Sequence, residues 1–223
     1  AEINMKNVVM SWSNGGYPSS NLAIFERILD NPALTLDSLA AEFYGKNAAQ
    51  YVCKAWHSFS EGFKEYPFHM ECIYNGPHHL GPANVFYPEK TGYKSTMVGI
   101  PYDDLDSWRQ MYPTEIYVSQ WKKVADGFRE GIRSMEEACE AADPEKKGFL
   151  EVETNRYKAI YDHLMSVVNQ VAFICARDNH AREGMLKAVD NELELCGDYL
   201  PRVYRDATIG YESSNHYFFV PQD

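Results

Sequence analysis

Residues 114–141 read TEIYVSQWKKVADGFREGIRSMEEACEA. Tyr117, Trp121, Val124, Phe128, Ile132, Met135 and Cys139 recur at three- and four-residue intervals. That interval returns side chains to one side of an α-helix, so the segment predicts a long helix with one apolar face. Two similar lines follow. From Pro144 to about Arg177 the line is Tyr157, Ile160, Leu164, Val167, Val171 and Ile174. From about Ala181 to Arg205 it is Leu186, Val189, Leu193, Cys196, Leu200 and Val203. Pro144 suits a first helical turn, whereas Pro201 threatens to kink or end the third helix. Apolar spacing near 3.5 residues, joined by short connections, predicts antiparallel packing at a shallow angle. The predicted fold is mainly α: an antiparallel bundle of three long C-terminal helices, three shorter N-terminal helices and a long irregular aromatic-rich segment.

The shorter helices lie upstream. Asn21 to about Asp30 carries Leu22, Phe25, Ile28 and Leu29, and Asn31-Pro32 breaks it. Thr35 or Leu36 to Tyr44 is closed by Gly45. Asn47 to about Tyr66 carries Tyr51, Val52, Ala55, Trp56, Phe59 and Phe63, and ends at Pro67. Residues 67–113 hold six of the eleven prolines, which excludes a continuous helix there. Their aromatics, Tyr74, Phe86, Tyr87, Tyr93, Tyr102, Trp108 and Tyr112, argue for an ordered segment. An ordered loop of this length inside a domain is usually functional. The chain therefore reads as one helical domain: 1–19, 20–66, 67–113, 114–206 and an aromatic tail, 207–223. Val8-Val9-Met10-Ser11-Trp12 reads as a buried strand, and the turn Ser13 to Pro18 follows it. A strand ending in Trp before a Gly-rich turn and a helix is typical of the active-site rim of a β/α barrel. The expectation is a strand remnant in a fragment of a larger protein.

Charge removes several functions. The net charge of −11 repels nucleic acid and anionic membranes, and the longest basic runs are two lysines. No window reaches the roughly 18 apolar residues of a membrane span. Five cysteines form no C-x-x-C pair, so neither a disulfide framework nor a thiolate zinc site is expected. Reduced thiols favour the cytoplasm. Seven histidines contain no H-E-x-x-H and no i, i+4 pair, so no metal is expected. A bundle metalloenzyme would require scattered histidines to converge. No G-x-S-x-G, phosphate loop or cofactor motif is present.

Acids and aromatics are richest in the irregular segments. Asp103, Asp104 and Asp106 precede Trp108, and Glu212 lies in the aromatic tail. Sugar sites use acids for protons, aromatic faces for stacking, and Asn, His or Arg for hydroxyls. The candidate saccharide contacts are the aromatics Trp12, Tyr17, Trp108 and Tyr217 with the polar residues Asn14, His78, Asp103, Glu212 and His216. No residue is assigned as general acid or base.

Ser11-Trp12-Ser13-Asn14-Gly15-Gly16-Tyr17-Pro18-Ser19 resembles the segment closing the barrel in large bacterial glycoside-hydrolase-like proteins. The blocks Gly76-Pro77 to Asn84, Pro101 to Trp108, and Glu212 to Tyr217 are similar to the C-terminal region of that group. The likeness spans essentially the whole chain. It implies an upstream barrel with this helical region attached, loops contributed to a sugar-binding cleft, and catalysis belonging to the longer protein. The expected partner is a carbohydrate or that barrel. The alternative is a non-catalytic helical interaction module that binds a partner protein or a neighbouring domain. The sequence leaves the oligomeric state open.

Overall fold

The computed structural model describes residues 20–79, 81–94, 101–206 and 208–209, and the backbone of 211–212 and 217–218. Within them the chain is mainly helical. The order is α1 (Asn21–Asp30), α2 (Leu36–Tyr44), α3 (Lys46–Phe63), α4 (Met70–Asn75), two 3-10 turns (Pro77–His79 and Gly81–Ala83), α5 (Leu105–Arg109), α6 (Thr114–Ala141), α7 (Pro144–Asp178) and α8 (Arg182–Arg205). Tyr211–Glu212 and Tyr217–Phe218 pair antiparallel as two minimal strands.

Local chemistry sets the helix ends. Thr35 and Ser38 form a reciprocal capping box on α2, which satisfies donors that a helix start leaves open. Only two residues, Ala142 and Asp143, separate α6 from α7, so the two helices run antiparallel. The Asp143 carboxylate accepts from Asn47 Nδ2 at 2.8 Å, tying this corner to the start of α3. At the end of α7, His180 takes the left-handed position (φ 54°) where glycine is usual. Ala181 N–H then reaches back to Ala176 O at 2.8 Å. Helix α8 runs through Pro201 to Arg205. Both Pro201 and Gly197 are exposed, so water can serve the Gly197 carbonyl that the proline leaves without an amide partner.

Helices α3, α6, α7 and α8 pack as successive neighbours. The main core lies between the first three. Val52, Trp121, Val124, Met135, Leu150 and Val171 are essentially inaccessible there. Phe59 joins all three helices, with its ring 5.0 Å from Phe128 and 4.4 Å from Tyr157. α3 and α6 cross where Gly62 meets Gly127: a Cβ on Gly62 would lie 2.8 Å from the Gly127 Cα. One window of α7 is apolar and long enough to cross a membrane, contrary to the sequence reading. It is 67% buried inside the bundle. A helix with neighbours on several sides is apolar on several sides.

Candidate functional site

The long segment 67–113 is pinned to α7 by polar side chains that point inward. Gln170 is essentially inaccessible. Its Oε1 accepts from Asn84 Nδ2 at 2.5 Å, and its Nε2 donates to Tyr102 O at 3.0 Å. One amide thus holds two stretches of loop. Two turns further on, Arg177 donates to Asp103 O at 2.8 Å and to the Asp103 carboxylate at 3.4 Å. Asp103 also accepts from Thr91 N at 2.7 Å and Thr91 Oγ1 at 2.8 Å. Near the middle of α7, His163 Nδ1 lies 3.2 Å from His78 O. A carbonyl only accepts, so Nδ1 carries the proton, and in the neutral ring Nε2 accepts from Tyr199 O–H at 3.1 Å. Gly81 has φ +60°, and a Cβ there would strike the His163 ring at 2.6 Å. Glycine is required by both conformation and space.

The polar line continues between α7 and α8. Glu192 is buried and accepts from Ser166 Oγ and, at 2.8 Å, from Asn169 Nδ2. Burial, outweighing these two bonds, raises its carboxyl above the ordinary value. Asp162 meets Arg202 Nε at 2.8 Å, yet burial pushes its carboxyl up to about 6. Cys196 Sγ donates to Pro82 O at 3.2 Å, joining α8 to the loop. By contrast, the apolar cluster under α8 is small: Ala159, Tyr199, Val203 and Ile209.

These bonds position the loop and α8. Ser166 faces Glu192, while His163 faces Tyr199 and a carbonyl, so serine and imidazole do not form a nucleophile–base pair. All five cysteines are free, and burial raises every one of their thiol pKa values, which suppresses the nucleophilic thiolate. Among the described residues no three His, Cys, Asp or Glu side chains are arranged to hold a metal ion.

The expected saccharide contacts separate accordingly. Trp108 is fully buried against Tyr117, with ring centroids 5.8 Å apart and an edge-to-face tilt. The expectation of a stacking platform is corrected here: no ring face is open, because α5 plugs the core over α6. Asp103 is 4% exposed and committed to Thr91 and Arg177, so it presents no free carboxylate to a ligand. The half-buried His78 ring lies 5.5 Å from Trp121, and its Nε2 is 3.3 Å from Tyr66 Oη. Glu212 and Tyr217 pair across the two short strands, of which only the backbone is described. Trp12, Asn14, Tyr17 and His216 lie outside the described residues.

Two hollows lie elsewhere. A cleft of about 780 Å³ is lined by Lys147, Glu151, Asn155, Lys158 and Arg205 among others, and a groove of about 660 Å³ runs between α6 and α7 over Val118 and Val171. Neither lining includes His78, Asp103 or Trp108. The sequence reading missed Asp162, His163, Ser166, Asn169, Gln170, Arg177 and Glu192. Their signal is a second line on α7: His163, Ser166, Gln170 and Arg177 fall at helical spacing inside an apolar helix.

The α7–α8 carboxyls make stability depend on pH. A carboxyl whose pKa is raised by folding binds protons better in the folded chain. The contribution of Asp162 and Glu192 to stability is therefore greatest below the ordinary carboxylate range and falls as pH rises through the raised values, near 6 for Asp162. Glu192→Gln is expected to be better tolerated above pH 7, where the buried carboxylate is charged, than near pH 4. Urea unfolding at the two pH values measures this; an equal change at both would remove Glu192 ionisation as the cause. No protein-family model matches the chain, and no curated protein or solved structure matches it either.

Proposed function

We propose that the chain is a non-catalytic helical docking region of a carbohydrate-active, glycoside-hydrolase-like protein. Its task is to hold a partner surface or neighbouring domain, not to cleave a bond. The observation that carries this reading is the outer face of α8. Leu186, Leu193 and Leu200 stand 52%, 64% and 45% exposed at seven-residue spacing, while the opposite face is fastened by Glu192, Tyr199 and Arg202. A straight apolar line on a helix fixed from behind is the geometry used for binding another helix or groove. The polar network supports the same reading, since its acids and thiols are committed or suppressed.

Panning an unbiased display library of helical hairpins tests this. Binders selected on the parent chain are expected to lose at least tenfold in affinity for Leu193→Asp. Binders that map elsewhere would refute the reading.

A second reading keeps the saccharide cleft. It is favoured by Gln170, which draws the blocks 76–84 and 101–108 together, with Tyr74 and Tyr93 exposed on the same long segment. Calorimetric titration with neutral oligosaccharides separates the two readings. Saturable heat lost in Tyr93→Ala belongs to the cleft; no heat belongs to the docking region.

A further inference from the structure

The outer face of α8 also carries charge, and its sign constrains what can lie against it. Glu183, Asp190, Glu194 and Asp198 are all exposed, and helical spacing places them along the flank of the Leu186–Leu193–Leu200 line that faces away from the bundle. Lys187 and Arg205 are the basic residues on that flank. No ion pair to a described residue engages any of the four acids; the ion pairs of α8 and its end are those of Arg202 and Asp206, on the α7 side. The other side of the line closes onto the loop through Cys196 and Pro82. The face is therefore an apolar line bordered on its open side by carboxylates.

We infer that the partner of α8 is a helix or ridge with an apolar line and a basic flank, and not a second copy of this chain. This rests on the docking reading above and adds the partner's chemistry. Two copies would each bring a net charge of −11 and would set acidic flank against acidic flank. A lysine- or arginine-flanked partner meets Asp190, Glu194 and Asp198 with opposite charge while its apolar residues cover the leucines. Charge of this kind governs encounter rate and choice of partner, and the apolar contact supplies most of the affinity.

The test uses two designed amphipathic peptides with one leucine line, one flanked by lysine and the other by glutamate. Each is titrated by fluorescence anisotropy into the whole chain. The lysine peptide is expected to bind at least tenfold tighter than the glutamate peptide, and to weaken at least fivefold between 50 and about 300 mM salt. Leu193→Asp supplies the decisive control. It adds a negative charge, so unspecific attraction would strengthen lysine-peptide binding, whereas docking on the leucine line requires at least a tenfold loss. Leu193 is 64% exposed, so the fold does not depend on it. Equal binding of both peptides would overturn the basic-partner inference and leave docking standing. Binding of neither, or no loss in Leu193→Asp, would overturn both.

Discussion

Asp103→Ala is expected to cost about 3 kcal/mol of stability. The carboxylate is 4% exposed and accepts from Thr91 N, Thr91 Oγ1 and Arg177 Nη1. Alanine removes all three bonds at once and leaves a buried guanidinium with fewer partners. Breaking a buried pair from one side typically costs ~3–5 kcal/mol, chiefly through the charge left behind. Arg177 keeps Asp178 at 2.9 Å and the Asp103 carbonyl at 2.8 Å, which places the expectation at the lower end. Asp103→Asn retains an oxygen acceptor but not the charge and is expected to cost roughly half as much. Urea unfolding of both variants at neutral pH gives the comparison. A loss below about 1 kcal/mol for the alanine variant would mean that the loop is not held by this pair.

The second large effect belongs to the backbone. In Gly127→Val the new Cβ would meet Gly62 atoms and Ser58 O at 2.9 Å, all of them main chain. Main chain cannot rotate aside, so α3 and α6 must separate. Overpacking ordinarily costs ~1–3 kcal/mol, and a backbone contact belongs at or above the top of that range. For a chain of this size about 3 kcal/mol lowers the melting temperature by roughly 6–12 °C. Gly148→Ala is the control: nothing lies within 4 Å of its added Cβ. It removes a flexible residue from a helix and is expected to gain roughly 0.5–1 kcal/mol. Thermal unfolding followed by circular dichroism reads both. A Gly127→Val variant melting with the parent would show that the helices tolerate a wider crossing.

Much of the helical layout was legible in the sequence. α1, α2, α6 and α7 begin and end within a residue or so of where periodicity, Pro and Gly put them, and α2, α6 and α7 each bury one face against a neighbour. Short helices were not legible. α4 and α5 span 6 and 5 residues, too few to show a period, and they stand among prolines. Trp108 illustrates a different limit. An aromatic in an irregular segment reads as a display residue, but a segment of that length must also bury its own apolar side chains, and Leu105 and Trp108 do so over α6. The polar line on α7 escaped notice because Ser, Asn, Gln and Glu at helical positions read as solvent-facing. Only the presence of α8 and the loop makes that side an interior. Pro201 was expected to interfere with α8, yet the helix passes through it at a site where Gly197 is open to water.

The fastening of α8 has a consequence for how the molecule comes apart. Behind it lie hydrogen bonds, the ion pairs Arg202–Asp162 and Arg156–Asp206, and a cluster of four apolar residues, whereas α3, α6 and α7 share the large aromatic core. Partial opening concentrates where little apolar area is sealed. The boundary between α7 and α8 is thus the seam along which the last helix is expected to come away first while the rest stays folded.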